Sequence, residues 1–429
     1  MILLITNSFK IFIKDTNFIY LSADKLHVKL KIFIMNTDNT KDKNVYDMFN
    51  EYFSHIDDPR QVHKIEHLLN EILFIVVLAV IAGADDFNEI ARFARIKKDW
   101  LSTFLKLPGG IPSHDTFNRV LCSIDSQQFQ QSFVDWIEDI RQNIKTPDSQ
   151  TEFLEDKDII SIDGKAICNS KDSTLGKKAI HMVSALSSKY GLVLGQQKCY
   201  EKSNEITAIP NLLNMFMVEG SVITIDAMGC QKEIASKIIK KKADYILALK
   251  GNQGNLYKEV ADLFDKVNTP EFSKYIHQSD TQLEKDHGRI EQRECITIEN
   301  LDWLYEIQQW KGVRSISKIT ATVVKGDKQT KEERYYISSL PGNANFMNKA
   351  VRKHWFIENK LHWILDVIFK EDYCRIRTGN GAENLNTVRK IALNTIKQDN
   401  SVKTSFKNKR KMCGWNDNYA LNILKNMKA

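Results

Sequence analysis

Two short apolar segments of this chain each end on an aspartate. "IISIDGKAI" carries Asp163 behind Ile159, Ile160 and Ile162, and "VITIDAMGCQ" carries Asp226 behind Val222, Ile223 and Ile225. A third acid, Glu358, sits in "HWFIENKLHWILDVIF" beside an apolar stripe. Short carboxylates on rigid elements suit hard divalent cations. Mg²⁺ takes oxygen ligands, keeps several waters and uses one or two protein carboxylates. A pair of such ions activates a water or hydroxyl and stabilises the leaving oxygen of an in-line displacement. Three acids brought together repel and raise each other's pKa, and a cation offsets that cost. An aspartate at a strand tip also serves as a turn cap, and that reading stands for each one taken singly.

The elements around these acids follow from periodicity. "DIISIDGKAI", "KAIHMVSALSS" and "GLVLGQQKCY" read as three strands with short turns between them. "NEITAIPNLLNMF" reads as a helix in which Pro210 makes a break or a new first turn. A strand over 221–226, a helix over 231–242 and a strand over 244–250 form a βαβ unit, so those two strands must be parallel. The sum is a mixed five-strand sheet flanked by helices. A β-rich block at about 270–340 reads as an insertion, with "RECITIENL", "ISKITATVVKG" and "ERYYISSL" as its strands. Beyond it, Ile357, Leu361, Ile364, Leu365 and Ile368 repeat at three to four residues, predicting one long helix that carries Glu358.

Residues 45–145 read as a helical domain. "LPGGIPSHDTFNRVLCSI" gives a Gly-Pro turn and then Ser113 as an N-cap, a turn-linked helix that either seats on DNA or belongs to a structural bundle. Residues 1–44 form an N-terminal extension, which includes upstream translation if Met35 is the start. Residues 155–400 hold the α/β domain, and 401–429 form a basic tail that is mobile or bound to phosphate.

Composition narrows the class. With 429 residues, 42% hydrophobic and 27% charged, the chain is long enough for two or three domains of ordinary soluble make-up. The net charge of +7 leans toward a polyanionic partner. Seven scattered cysteines without a C-x-x-C pair exclude a zinc ribbon or disulfide framework and fit a reducing cytoplasm. The run Ile72 to Ala84 is too short to span a bilayer comfortably and reads as a buried helix, so no membrane partner is expected. "KGNQGN" lacks the Lys-Ser/Thr ending of a P-loop. His354, Glu358 and His362 share a four-residue spacing but lack the HExxH order of zinc proteases, so the histidines are expected to flank a metal carboxylate or touch DNA phosphate. Trp303 and Trp310 are expected in core packing ahead of base stacking.

Several longer motifs carry a family likeness. "LNEILFIVVLAVIAGADDFNEIARFA", "SIDGKAI", "EKSNEITAIPNLL", "ITIDAMGCQKEIA", "DYILALKGNQGNLY", "HGRIEQRE" and "HWFIENKLHWILDVIFKEDYCRIRTGNGAENL" resemble the DDE-type insertion-sequence transposases of the H-repeat-associated (ISAs-type) group, from about residue 46 to 425. The resemblance implies a ribonuclease H-like core with Asp163, Asp226 and Glu358 as its metal-binding triad. It implies Mg²⁺, with Mn²⁺ as a substitute, and cleavage and strand transfer of an insertion sequence. The alternatives are a metal-dependent nuclease without strand transfer, or a non-catalytic DNA-binding remnant, against which the intact triad argues. Implied partners are double-stranded DNA with terminal inverted repeats, target DNA and, because two element ends are paired, a second copy in a homodimer. The implied location is cytoplasmic and nucleoid-associated. Val351, His354 and Leu365 stand where other insertion-sequence transposases with a β insertion often carry Tyr, Arg and Lys, so no phosphate-clamping role is carried onto those positions.

Candidate DNA contacts are Lys165 beside the first aspartate, His287, Arg289 and Arg293 in the insertion, His354, and a basic strip of Arg375, Arg377, Arg389 and Lys390 beyond the third acid. A solvated β edge is the competing reading for "HGRIEQR".

Overall fold

The computed structural model describes residues 44–144, 154–171, 176, 178–199, 205–267, 269–270, 275, 278–286 and 288–427, with three short strands before them. Those strands, β1 (Ile2–Ile5), β2 (Ser8–Ile11) and β3 (Ile19–Leu21), make an antiparallel sheet within a unit of their own, Met1–Asn44. Val45–Ala429 forms the second unit.

The β-branched runs of the second unit build one nine-stranded sheet. Its strands are β4 (Ile159–Ile167), β5 (Ile180–Ser187), β6 (Val193–Cys199), β7 (Val222–Ile225), β8 (Asp244–Leu249), β9 (Gln278–Asp286), β10 (Arg289–Ile298), β11 (Ser315–Lys325) and β12 (Lys328–Ser338). The order is β6-β5-β4-β7-β8-β12-β11-β10-β9. β4, β7 and β8 are parallel, with Ile159 opposite Val222 and Ile162 opposite Ile225; the other pairings are antiparallel. A five-strand sheet with a separate β insertion is therefore corrected. Tyr335 to Ser338 of β12 pair with Leu249 to Ile246 of β8, so the later strands extend the same sheet. Local sequence pattern marks strands but not which open edge receives them.

Alternation along the parallel strands divides the core. Ile160, Ile162, Ile223, Ile225 and Leu247 enter the large core, together with Leu212 of the helix Glu205–Met215 and Ile234 of the helix Lys232–Lys240. Ile159, Val222 and Ile246 face the other way and pack with Met347, Ala350 and Val351 of the helix Ala344–His354. Each such enclosed side chain contributes roughly 1.5–3 kcal/mol of transfer free energy. This second face is the one that carries Asp163 and Asp226.

The helix bearing the third acid is not one regular helix. After Ala344–His354 the backbone winds as π-helix over Glu358–His362 and Ile364–Ile368, and Lys370, at φ 50°, ends it. Pro210 lies inside Glu205–Met215 and does not end that helix. The expected mobile tail is also corrected. Residues Phe406–Trp415 and Asp417–Lys425 are helices, and Cys413, Ala420, Ile423 and Leu424 are buried. Arg410 is spent inside the fold, donating to the carbonyls of Val80 and Ala84 and to Asp85 at 2.8 Å. The helix Gly381–Lys397 packs against the N-terminal helices, where Asn384 donates to the carbonyls of Leu121 and Ile124. No described helix is long and apolar enough to cross a membrane.

Candidate metal centre

Strand register brings the two aspartates together. Ile162 and Ile225 are opposite in the parallel β4–β7 pair, so Asp163 and Asp226, one residue on, leave adjacent strands on the same face. Neighbouring strands lie about 4.8 Å apart. One step earlier on that face, Thr224 donates to Ser161 at 3.3 Å. Asp226 ends its strand by accepting from the amides of Met228 and Gly229 at 3.0 and 3.4 Å. It therefore caps a turn, as a strand-end aspartate does, and still lines the cleft.

Glu358 reaches the same place from the π-wound segment. One ligand atom from each of Asp163, Glu358 and His362 lies within 4.8 Å of the others. His362 Nδ1 is 3.0 Å from Glu358 and 3.6 Å from Asp163. Asp163, Asp226 and Glu358 together line a cleft of about 210 Å³, walled by Lys250, Arg334, Tyr336, His354 and Trp355. The loop after β8 closes one side, with Asn252 donating to the carbonyl of Ala227 at 2.6 Å.

The electrostatics single out Asp163. Burial pushes Asp163 up to about 6; Asp226 and Glu205 add to the rise, while His362 and the Gly164 amide oppose it. The hydrogen bond from His362 holds Glu358 below the ordinary carboxylate range. Burial lowers His354 to about 4 despite the pull of Asp226, so its ring is neutral near pH 7, with Nδ1 on Thr224 Oγ at 2.9 Å. On the reverse face of β4, Gly164 packs against the buried His181–Glu205 pair, leaving no room for a methyl group. The donor set fits a divalent cation: Asp163 and Glu358 converge with His362, and Asp226 lines the same cleft outside that close group. Among the described residues, the candidate metal-holding group takes His362 and omits His354, so the three-residue helix-face set of His354, Glu358 and His362 is not what converges.

The expected DNA contacts divide sharply. Arg375 and Arg377 are exposed, and Arg377 also donates to the carbonyl of Asn169 at 3.4 Å. Arg389 and Lys390 are buried and are corrected. Arg389 pairs with Glu371 at 3.3 Å, and Lys390 donates to Ser184 and Gln196. Lys165 is corrected as well, because its ammonium is enclosed by Asp366, Asp372 and Glu371. Arg293 is buried against Glu284 at 2.6 Å. Arg289 is half-exposed and pairs with Glu291 at 2.8 Å. His354 faces the cleft, while His287 lies outside the described residues. Arg289, Arg293, Arg334, Arg352 and Trp355 line a second groove of about 300 Å³ that meets the acid cleft at Glu358. Trp310 is in the core, whereas Trp303 is partly exposed against Tyr275.

Asp366, Glu371 and Asp372, which surround the Lys165 ammonium, went unmarked in the sequence; the available signal was one acid, Asp366, inside an apolar helical run.

Comparison with known proteins gives the family. The family described as "Transposase DDE domain" matches residues 141–395, and "DDE_Tnp_1-associated" matches 50–137. "Putative transposase YncI" of Escherichia coli O157:H7 is 43% identical over 87% of this chain and 93% of its own length. "H repeat-associated putative transposase YhhI" of Escherichia coli K12 is 40% identical over 87% of this chain and 97% of its own. Among solved structures, a piggyBac transposase synaptic complex with hairpin DNA overlaps at a TM-score of 0.39 and 12% identity, covering 90% of this chain and 79% of that one, too weak a likeness to carry an argument. The chain belongs to the DDE transposase family, alongside the H repeat-associated transposases that it matches over most of its length.

Proposed function

We propose that this protein cuts the ends of an insertion sequence and joins them to target DNA, using Asp163, Asp226 and Glu358 as metal-holding carboxylates. The observation that carries this reading is the β4–β7 register, which sets two aspartates side by side in a cleft that Glu358 also lines. The five strands β6-β5-β4-β7-β8 serve as the ribonuclease H-like core, and β9–β12 extend it. Residues 45–145 serve as the DNA-binding helical domain and 155–400 as the catalytic one.

Mg²⁺, or Mn²⁺ in its place, would be held by the three acids and would activate the attacking oxygen and stabilise the leaving one. The chain's own residues supply the rest. β4 and β7 hold the aspartates at a fixed separation. The Gly164 amide, donating to Asp163 at 2.9 Å, aims that carboxylate. Neutral His354 braces Thr224 without adding a charge. Arg375 and Arg377 on the exposed strip attract a phosphodiester backbone, while Arg289, Arg334 and Arg352, each paired with a glutamate, line the adjoining groove. The partners are terminal inverted repeats, target DNA and a second protomer, and the place of action is the nucleoid.

The test is incubation of the full chain with a duplex carrying the element's terminal repeat and Mg²⁺, resolving nicked, excised and joined products. Joined products are expected. Nicks without joining would leave a nuclease, and no metal-dependent product would remove the reading.

A further inference from the structure

Lys165 sits two residues past Asp163, on the same face of β4. Its side chain is only 12% exposed, and its ammonium lies 2.6 Å from Asp366, 3.1 Å from Asp372 and 3.5 Å from Glu371. This enclosure rules it out as a phosphate contact but gives it a place in a repeated pattern. On β4, Asp163 and Lys165 are consecutive same-face positions. On the π-wound segment, Glu358, His362 and Asp366 follow at four-residue spacing. Asp163 meets His362 at 3.6 Å and Lys165 meets Asp366 at 2.6 Å. The two cross-links thus follow one another along one strand and one helical segment.

We propose that Lys165 is a positioning residue whose ion pair with Asp366 fixes the winding and axial register of Glu358–Ile368 on β4, and so holds Glu358 and His362 against Asp163. This rests on the metal-site reading above. Register matters here because a shift by one residue swings a helical side chain by roughly a quarter of a turn, enough to take Glu358 out of the cleft. π winding within a helix marks a place where register is not set by the ordinary backbone ladder alone. The far end is braced in the same way. Asp372 accepts from the Cys168 amide at 3.1 Å, just past β4, and Asn169 donates to its carbonyl. Glu371, wholly buried, is held by Asn386 at 2.6 Å and by Arg389. The ammonium donates to Asp372 at 3.1 Å and to the Ala166 carbonyl at 3.3 Å, and stands in ion-pair contact with Asp366 and Glu371. An apolar residue at 165 would leave Asp366 and Glu371 short of charge, and the segment would open to hydrate them.

The experiment titrates the full chain with Mn²⁺ alone, without DNA, by calorimetry, and records the thermal midpoint in parallel. Lys165→Met and Asp366→Asn are expected to weaken Mn²⁺ binding about 10- to 100-fold, the range for residues that orient metal ligands from behind. Lys165→Arg, which keeps the charge, is expected to recover most of the affinity. A purely structural role would lower the midpoint and leave affinity within twofold of wild type, and that result overturns the proposal. Asp366 is partly exposed, so Asp366→Asn carries the test if Lys165→Met does not fold. Asp226→Asn separates the two levels. If it weakens Mn²⁺ binding while Asp366→Asn does not, only the positioning role fails. If Asp226→Asn binds Mn²⁺ like wild type, the metal-site reading fails and the positioning role falls with it.

Discussion

Replacing Arg389 with methionine should unfold this protein more easily without weakening its grip on DNA. The side chain is 2% exposed and lies 3.3 Å from Glu371, which is fully enclosed. Burial pushes the Glu371 carboxyl up, but Arg389, Lys165, Lys390 and Asn386 outweigh it and hold the group ionised. Breaking a buried pair from one side costs about 3–5 kcal/mol. Lys165 and Asn386 remain beside Glu371, so the lower end, about 3 kcal/mol, is the expectation here. A surface arginine changed in the same way moves stability by about 0.5 kcal/mol or less. The assay is urea denaturation, in which the midpoint should fall by roughly 1 M for a slope near 3 kcal/mol/M. Adding Glu371→Gln should recover much of the loss, because the unpaired buried charge is then gone. In the folded range, duplex affinity and its salt slope should match wild type. An unchanged midpoint with weakened DNA binding would refute the burial argument and return Arg389 to the phosphate-binding strip.

Three other expectations follow from the same geometry. Because Asp163 is raised to about 6 by burial and by Asp226, a proton competes with the cation below that pH. Mn²⁺ affinity should rise about fivefold from pH 5 to 6 and about tenfold from pH 5 to 7 and then level off, and calorimetry giving equal affinity at pH 5 and 7 would count against it. For stability without metal the sign runs the other way, since a raised carboxylate pKa favours the fold below the ordinary value and that contribution is lost as pH climbs through about 6. Arg375→Gln and Arg377→Gln should weaken binding to all duplexes alike and reduce the salt slope by about one for each phosphate no longer neutralised. A salt titration on specific and random DNA decides it, and a slope unchanged in both variants would remove the strip from the DNA-binding surface.

How much of this was legible in the chain depends on whether a feature is local. Asp163 and Asp226 were visible because each follows a β-branched run, but the βαβ reading paired Asp226's strand with 244–250, and its neighbourhood with Asp163's strand emerged only in the structure. Glu358 was visible beside an apolar stripe, although periodicity could not register the change to π winding. The sheet's extension was hidden, since a strand's alternation says which face is buried and not which edge it joins. The charged residues misled for a related reason. Arg389 and Lys390 in "VRKIA" read as phosphate contacts, yet the helix Gly381–Lys397 is enclosed nearly all round between the sheet and the N-terminal helices. Nothing at residues 389 and 390 announces Glu371, Ser184 and Gln196 as partners, because those pairings are long-range. Lys165 was misread in the same way, for its partners Asp366, Glu371 and Asp372 lie some two hundred residues on.

The central claim is that Asp163, Asp226 and Glu358 act together through a divalent cation. Asp226→Asn tests it most directly, since the change keeps volume and the Met228 and Gly229 amides retain an acceptor oxygen. Terminal-repeat duplex is incubated with wild type and variant in Mg²⁺, and cleavage and duplex binding are measured side by side. Cleavage should fall to background while binding persists or tightens, as one negative charge facing the phosphates is removed. Cleavage at the wild-type rate in Asp226→Asn would contradict the account.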